Sequence, residues 1–357
     1  MNFNNLVTQF ENKRIMVIGD VILDEYVWGE VNRISPEAPV PVFEMLGERI
    51  GCGGAANVAQ NIVSLGGNVV LVSVIGKDSD GEKLLHLLNT LDIRTTDINI
   101  DIQRPTSKKT RVIVNPNTVE ASLSELDSSD DQILHQGHHL LRIDRESKQD
   151  IAAKLKERLL HVTLSQIGEC DAIVFADYDK GVVDQELIQK VVLNAKSYNI
   201  PIIVDPKRNN FLHYKGATVL TPNYKEAAAA LQEEITDVSH LISVGEKILD
   251  QLSLPTLLIT REEQGMSLFQ RDSNGNLQVD HLPPISQEVI DVTGAGDTVV
   301  AVFSLAITAN ADNRSAAELS SLAGGIVVGK MGCSTVTPEE LLTASRDFLG
   351  TPTLETH

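Results

Sequence analysis

The run Gly294-Ala295-Gly296-Asp297-Thr298 combines small residues and one acid at the head of a long apolar segment, Thr298 to Ala309. Small residues there leave a helix N-terminus whose bare backbone N–H groups, aided by the helix dipole, attract an anion. Asp297 stands inside that nest, where a carboxylate repels phosphate unless it takes a proton from an attacking hydroxyl. An anion cradle with a built-in base is what phosphoryl transfer to an alcohol requires. Gly294, Ala295, Gly296 and Asp297 are therefore the candidate catalytic residues, and the stretch before them, Glu288 to Val292, reads as extended.

Other motifs admit more than one reading. Gly51-Cys52-Gly53-Gly54-Ala55-Ala56-Asn57 fits the dinucleotide pattern GxGxxA, but that pattern needs a strand directly before it and an acid ending the next strand. Here Gly47 to Ile50 reads as the exit from a lid, and the next strand ends at Ile75-Gly76-Lys77. The better reading is close approach of a polyol at Gly53 and Gly54, with Asn57 bonding its hydroxyls. Gly324 to Met331 has P-loop spacing, yet Met331 replaces the Ser/Thr and the run lies in a helical pattern, so packing through glycines accounts for it. His135-Gln136-Gly137-His138 matches a nucleotidyltransferase signature in the wrong context and is read as coincidence. Asn223 and Glu226 form either a plain capping box or a site beside hydrated Mg²⁺ and nucleotide phosphates. Thr260-Arg261, closed by Gly265, is either a surface turn or the place where Arg261 meets a phosphate.

These residues need a scaffold. Short apolar strands at Arg14–Gly19, Asn68–Ile75, Ala172–Ala176, Pro201–Asp205, Thr218–Thr221 and Thr256–Thr260 alternate with amphipathic helices such as Gly54–Leu65, Ser79–Leu91, Asp184–Tyr198 and Val238–Leu252. That rhythm implies an α/β fold with a mainly parallel central sheet flanked by helices. Ligands in such sheets bind at the carboxyl ends of the strands. Asp20, Asp24, Asp177, Asp205, Asn223, Arg261 and Asp297 are all expected there, around a single cleft. Two segments, about 25–46 and 107–145, break the rhythm with extended pieces and are expected to form a small β-sheet lid on one domain spanning 1–357. Between the lid pieces, Asn115 to Gln136 is polar, acidic and Ser-rich and reads as a loop, and the tail after Leu349 reads as frayed.

The 357 residues carry a formal charge of −19, which argues against nucleic-acid binding, since phosphate contacts need a basic surface. Local Lys and Arg residues can still reverse the field inside a cleft. Three scattered cysteines offer neither a disulfide framework nor zinc-ligand spacing. The polar N-terminus and the lack of an 18-residue apolar run imply no leader, no membrane partner and a cytoplasmic protein.

Taken together, the Gly-Gly before a helix, the NxxE segment, the TRxxxG turn and Asp291 to Asp297 (DVTGAGD) resemble the ribokinase-like (PfkB) carbohydrate kinases, in the family's order and over nearly the whole chain. The runs Gly19–Asp24, Arg33–Val42 (RISPEAPVPV), Asp177–Gly181, Asp205–Lys207 and Gly332–Thr335 resemble the D-glycero-β-D-manno-heptose 7-phosphate kinase branch, whose members make the 1,7-bisphosphate on the way to ADP-heptose and the lipopolysaccharide core. Without an adenylyltransferase domain, the chain resembles the stand-alone kinase form. The acidic segment near Asn115 to Gln136 is longer than the pattern.

The resemblance implies ATP as phosphate donor, Mg²⁺ as cofactor and a sugar bound by Asp24, Gly53, Gly54 and Asn57. Asp297 would take the anomeric hydroxyl's proton while the N–H groups of Ala295, Gly296 and Asp297 hold the transferred phosphoryl group. Asn223 and Glu226 would orient Mg²⁺ through water. Thr260, Arg261, Gly265 and Gly296 would lie along the nucleotide, with its purine near Ser321 to Lys330. Backbone carbonyls of Asp291 and Thr293 would offer a place to a monovalent cation such as K⁺. A substrate with its own phosphate needs a second basic site, for which Arg33, Lys109, Arg111, Arg142 and Lys180 are candidates, each otherwise a solvated surface charge. Val27, Trp28, Val40 and Val42 are expected to be exposed on the lid and to pair it in a homodimer. The rivals are a kinase for another sugar, sugar phosphate or nucleoside, a non-catalytic regulator on the same fold, and a dehydrogenase.

Overall fold

The computed structural model describes residues 3–114, 138–285 and 289–350. The acidic segment 115–136, most of the His135–His138 motif, Glu288 and the last seven residues lie outside the described residues.

After a short helix α1 (Phe3–Val7), the apolar run Arg14–Gly19 forms β1, buried along nearly its whole length. It lies between β4 (Asn68–Gly76) and β8 (Ala172–Ala176), parallel to both. From β8 the sheet continues through β9 (Ile202–Asp205), β10 (Val219–Leu220) and β11 (Thr256–Thr260), again parallel. On the other side β4 pairs with β5 (Ile98–Asp101). Two antiparallel strands, β12 (Met266–Arg271) and β13 (Leu277–Leu282), complete a nine-stranded sheet in the order β13-β12-β11-β10-β9-β8-β1-β4-β5. Strand order reverses at β1, so the crevice for a ligand opens beyond its carboxyl end.

One face of the sheet is covered by α2 (Ala55–Ser64), α3 (Ser79–Thr90), α8 (Ala295–Thr308), α9 (Asn313–Val328) and α10 (Pro338–Gly350). The other carries α4 (Ala153–Gln166), α5 (Gln185–Ser197), α6 (Tyr224–Leu231) and α7 (Val238–Leu252). Strands such as Ile173–Phe175 are buried on both sides, which is why they read as continuous apolar runs rather than alternating ones. Gly325 lies within α9, where a Cβ would meet the Ile285 side chain at 2.8 Å, so the P-loop-like run is helix packing.

The lid is a four-stranded sheet, β3-β2-β6-β7, made of β2 (Val21–Ile34), β3 (Pro41–Gly54), β6 (Lys108–Val114) and β7 (His138–Arg145). Its hairpin is longer than 25–46. Asp20 alone separates β1 from β2, and β3 runs straight into α2 through Gly54. At φ +58° Gly54 adopts a backbone open to glycine, and a Cβ there would stand 2.5 Å from the Asp20 carbonyl.

Several expectations are corrected. Trp28 is not exposed: it is 4% accessible, stacked where a Gly47 Cβ would be 2.4 Å from its ring, and clustered with Tyr26, Ile113 and Met331. Strand alternation turns its side chain towards Met331. Val27 and Val42 are half-buried, and only Val40 of the four stands well exposed. Asp24 lies inside β2 rather than at the end of a central strand. Helix α8 starts at Ala295, earlier than Thr298, and the described residues before it form a turn rather than a strand. There Thr293 N–H and Oγ1 donate to the Asp291 carboxylate, at 2.9 and 2.6 Å. The amides of Ile290 and Asp291 bond to the Val328 carbonyl.

Candidate active site

Asp297 occupies the first turn of α8 and is 3% accessible. Gly294 caps that helix at φ +81°, and a Cβ there would meet the Asn57 amide at 2.5 Å. At Gly296 the space a Cβ would take is open, so the helix start is uncovered. Asn57 Nδ2 donates to Asp297 Oδ2 at 2.8 Å, and the Tyr178 hydroxyl donates to Oδ1. Burial pushes the Asp297 carboxyl up to about 6, against the pull of Tyr178, Asn57 and the nearby Lys207 ammonium. A carboxylate that titrates near 6 is suited to accept a proton at neutral pH.

Tyr178 was not among the expected site residues, although it follows a strand end. Its loop is held by Asp20, whose carboxylate accepts the backbone N–H groups of Tyr178 (2.9 Å), Lys180 (3.1 Å) and Val182 (3.2 Å). Asp177 is pushed up to about 6 by burial and by Asp20, and accepts from Asn210 (3.0 Å) and Tyr214 (2.9 Å). Both acids brace the loop, so their strand-end placement serves position rather than substrate contact.

Asp24 faces the same cleft from the lid. Arg111 donates to its Oδ1, and the Cys333 thiol donates to Oδ2 at 2.9 Å. Burial and Asp24 keep that thiol well above its usual range, hence neutral. A Gly53 Cβ would lie 2.4 Å from the Asp24 carboxylate, so this glycine makes room for Asp24 itself.

On the nucleotide side the capping box is present in full. Asn223 Oδ1 accepts the Glu226 N–H, and Glu226 Oε2 accepts the Asn223 N–H, each at 2.9 Å. Glu226 Oε1 also pairs with Lys207 at 2.5 Å, and Lys207 lies 3.7 Å from Asp205. Lys207 thus ties the NxxE helix to the end of β9 and brings its charge near Asp297, a connection that the sequence does not display. Burial raises Asp205 to about 7, and the ammonium of Lys207 opposes that rise. Among the described residues no group of three His, Cys, Asp or Glu side chains could hold a metal ion. A carboxylate offers about four lone-pair sites, so Glu226 retains capacity for water, which fits Mg²⁺ carried on phosphates and not a protein cage.

Thr260 ends β11 and is bridged to Asn223. The Arg261 guanidinium donates to the Gln264 carbonyl at 2.8 Å while its buried Nε has no partner, and burial lowers its pKa. Arg261, Tyr224, Thr236 and Leu241 line an open cleft of about 670 Å³. Gly265, at φ +78°, lets β12 start where a Cβ would strike the Leu282 carbonyl.

The basic candidates divide. Lys109 and Arg111 neighbour Asp24 and Tyr26 across the β2–β6 register. Lys109 stands 5.6 Å over the Tyr178 ring, and Arg111 faces Arg142 across the β6–β7 register. Burial lowers the Lys109 pKa against the pull of Asp24, and Arg111, Lys180 and Arg142 add to the lowering. Lys180 pairs with Glu146 at 2.7 Å and Arg142 with Asp144 at 2.8 Å, whereas no carboxylate bond to Lys109 is found among the described residues. Arg33 stands apart: nine residues along β2 from Asp24, about 30 Å at strand rise, it is exposed and 3.6 Å from Glu44.

A buried carboxylate in the first turn of an uncovered helix start, facing a small sheet with its own cations, is an arrangement that phosphoryl transfer could use. The model of the pfkB family carbohydrate kinases matches residues 12–340. The chain belongs to this family. It is therefore a sugar kinase, and the family implies use of ATP. Relatives named "Bifunctional protein HldE" from Geobacter metallireducens and Geobacter sulfurreducens are both 42% identical, over 96% and 92% of this chain. The chain spans only 64% and 62% of their lengths. Phosphofructokinase-2 from Escherichia coli, solved in complex with substrates and products, superposes with TM-score 0.71 at 17% identity over 94% of this chain and 99% of that one. The ribokinase of Arabidopsis thaliana, complexed with ribose and ATP, gives TM-score 0.66 at 17% identity over 94% and 98%. These two share the fold.

Proposed function

We propose that this pfkB kinase transfers the γ-phosphoryl group of ATP to the C1 hydroxyl of D-glycero-β-D-manno-heptose 7-phosphate, forming the 1,7-bisphosphate on the route to ADP-heptose and lipopolysaccharide. The observation that supports it is the group of cations near Asp24 and Tyr178, namely Lys109 and Arg111 on β6, Arg142 facing Arg111 from β7, and Lys180 on the loop after β8, which would offer a second anion site. The branch-specific runs and the similarity to HldE proteins support heptose as the sugar.

In this reading Asp24, Asn57 and the backbone at Gly53 and Gly54 bind the sugar hydroxyls. Asp297 accepts the C1 proton as that oxygen forms its bond to the γ-phosphorus and the bond to the β-bridging oxygen breaks. The N–H groups at Ala295, Gly296 and Asp297 hold the charge on the transferred group; one such donor is worth about 2.7–4 kcal/mol of barrier. Asn223 and Glu226, through water, would hold the Mg²⁺ that neutralises phosphate charge, and Arg261, Thr260 and Gly265 would line the nucleotide. Carbonyls of Asp291 and Thr293 are the place for K⁺. Lid pairing in a homodimer and a cytoplasmic location belong to the same proposal; no described helix is long and apolar enough to cross a membrane.

The test is a panel of sugars and sugar phosphates with ATP and Mg²⁺, read by phosphorus NMR. A new anomeric phosphate on heptose 7-phosphate is expected. Preferred turnover of fructose phosphate, ribose or a nucleoside would overturn the heptose reading.

A further inference from the structure

Both oxygens of Asp297 already have donors, one from Asn57 and one from Tyr178. Each oxygen keeps a free lone pair, but Asp297 is only 3% accessible, so a sugar hydroxyl reaches it only where one of these covering donors gives way. Asn57 is in no position to do so. It is fully buried, Asn61 Nδ2 donates to its carbonyl at 2.9 Å and reaches its side-chain oxygen at 3.3 Å, and its amide fills the space left by Gly294. Tyr178 differs in each respect. Its backbone is braced by Asp20, but its side chain is half-buried and the one hydrogen bond shown for its hydroxyl is that to Asp297, so the ring can turn aside without breaking the loop. Two ammonium groups, Lys109 at 5.6 Å and Lys207 at 5.1 Å, lie within cation–π range of its ring.

We propose that the Tyr178 hydroxyl is a stand-in for the acceptor: it holds Asp297 Oδ1 in the sugar-free enzyme, and sugar binding exchanges the phenol for the sugar hydroxyl. The proposal rests on Asp297 being the base. Tyr178 is then a positioning residue. It keeps the base ionised and occupied, and so denies it to water that would otherwise attack ATP. After exchange the sugar O–H proton passes to Asp297 while the sugar oxygen bonds to the γ-phosphorus and ADP leaves. The phenol keeps its own proton throughout, since burial and the neighbouring Asp297 hold its pKa well above the usual range. The groups that face Asp297 are Asn57 from α2, Tyr178 from the loop after β8, Lys207 and Asp205 from the end of β9, Cys333 from the segment after α9, and Asp24 from the lid.

Tyr178→Phe tests this in two ways. In the sugar-free protein, a carbon-NMR titration of labelled aspartates, assigned with Asp297→Asn, should show the Asp297 midpoint about one to two pH units higher in the variant. An unmoved midpoint overturns the proposal, and this arm needs no knowledge of the sugar. In turnover of whichever sugar phosphate the wild type accepts, the acid limb of kcat/KM should rise with it, because kcat/KM reports the free enzyme, while the limb of kcat stays in place. Sugar-independent ATP hydrolysis should also rise severalfold. Equal movement of both limbs would mean that the phenol stays on the base, and would overturn the exchange. Wild-type protein that turns over no heptose phosphate would instead count against the substrate. Should Tyr178→Phe not fold, wild type labelled at tyrosine Cζ serves. Sugar should move the one resonance of five that Asp297→Asn also perturbs, and an unmoved resonance overturns the exchange.

Discussion

Asn57 and Asp297, 240 residues apart in sequence, share a 2.8 Å hydrogen bond at the head of two packed helices. The Asn57 amide bonds an ionised carboxylate more strongly than a protonated one, so its loss raises the Asp297 pKa and unfixes the carboxylate. Asn57→Ala should lower kcat/KM by on the order of 10–100-fold, the worth of a hydrogen bond to a charged group, and move the acid limb upward. Asn57→Asp should be worse, since two adjacent carboxylates cannot both ionise. A pH profile of Asn57→Ala that matches wild type would sink this assignment.

Most of the frame was legible because it depends on local pattern. Apolar strands, caps such as Asp184 and Asp237, and the glycine at 294 act through neighbours in sequence. What escaped was set by pairing at long range. The β12–β13 hairpin alternates too weakly to be told from a loop, its outer strand being half exposed. Trp28 was placed on the wrong face because the burial of a lid strand depends on what lies beneath it, here Met331. Tyr178 and Lys207 were missed as site residues for a related reason: their roles arise from convergence on Asp297 and Glu226.

Asp297→Asn should retain substrate binding and lose about 10²–10⁴-fold in kcat, the usual contribution of a general base. In the wild type, kcat/KM should decline below pH about 6, where the base takes a proton. Stability should run the other way. Between the ordinary carboxyl value of 3.8 and about 6 the folded chain keeps a proton that the unfolded chain has lost, so stability falls as pH rises through that window. For Asp297 alone the loss is on the order of 3 kcal/mol. Melting temperatures from pH 4 to 7.5 should fall less steeply for Asp297→Asn than for wild type. Parallel slopes would show that the buried carboxyl does not titrate as described.

The lid displays Leu141 and Ile143 on β7 at 55% and 52% exposure, with Val40, Met45 and Leu46 similarly open on β3 and the turn before it. Apolar residues gathered on one small sheet mark an interaction surface. If lids pair, Leu141→Glu with Ile143→Glu should convert a dimer to monomers in analytical sedimentation, because burying charge without a partner is costly. A monomeric wild type would remove lid pairing altogether.

Lys109 is the sharpest probe of the acceptor. Arg111, Lys180 and Arg142 each have a carboxylate partner, so deleting any of them also leaves an acid unpaired. Lys109 lies over Tyr178 with its pKa depressed by burial and neighbouring cations, conditions that a bound phosphate would reverse. Lys109→Met keeps the stem that packs on the ring and removes only the charge. For a phosphorylated sugar it should raise KM by on the order of 10–100-fold, the worth of a charge-assisted hydrogen bond, and flatten the dependence of KM on salt. For the same sugar without its phosphate, KM should be unchanged. An equal rise for both would mean that Lys109 serves the cleft's structure and that the substrate's phosphate lies elsewhere.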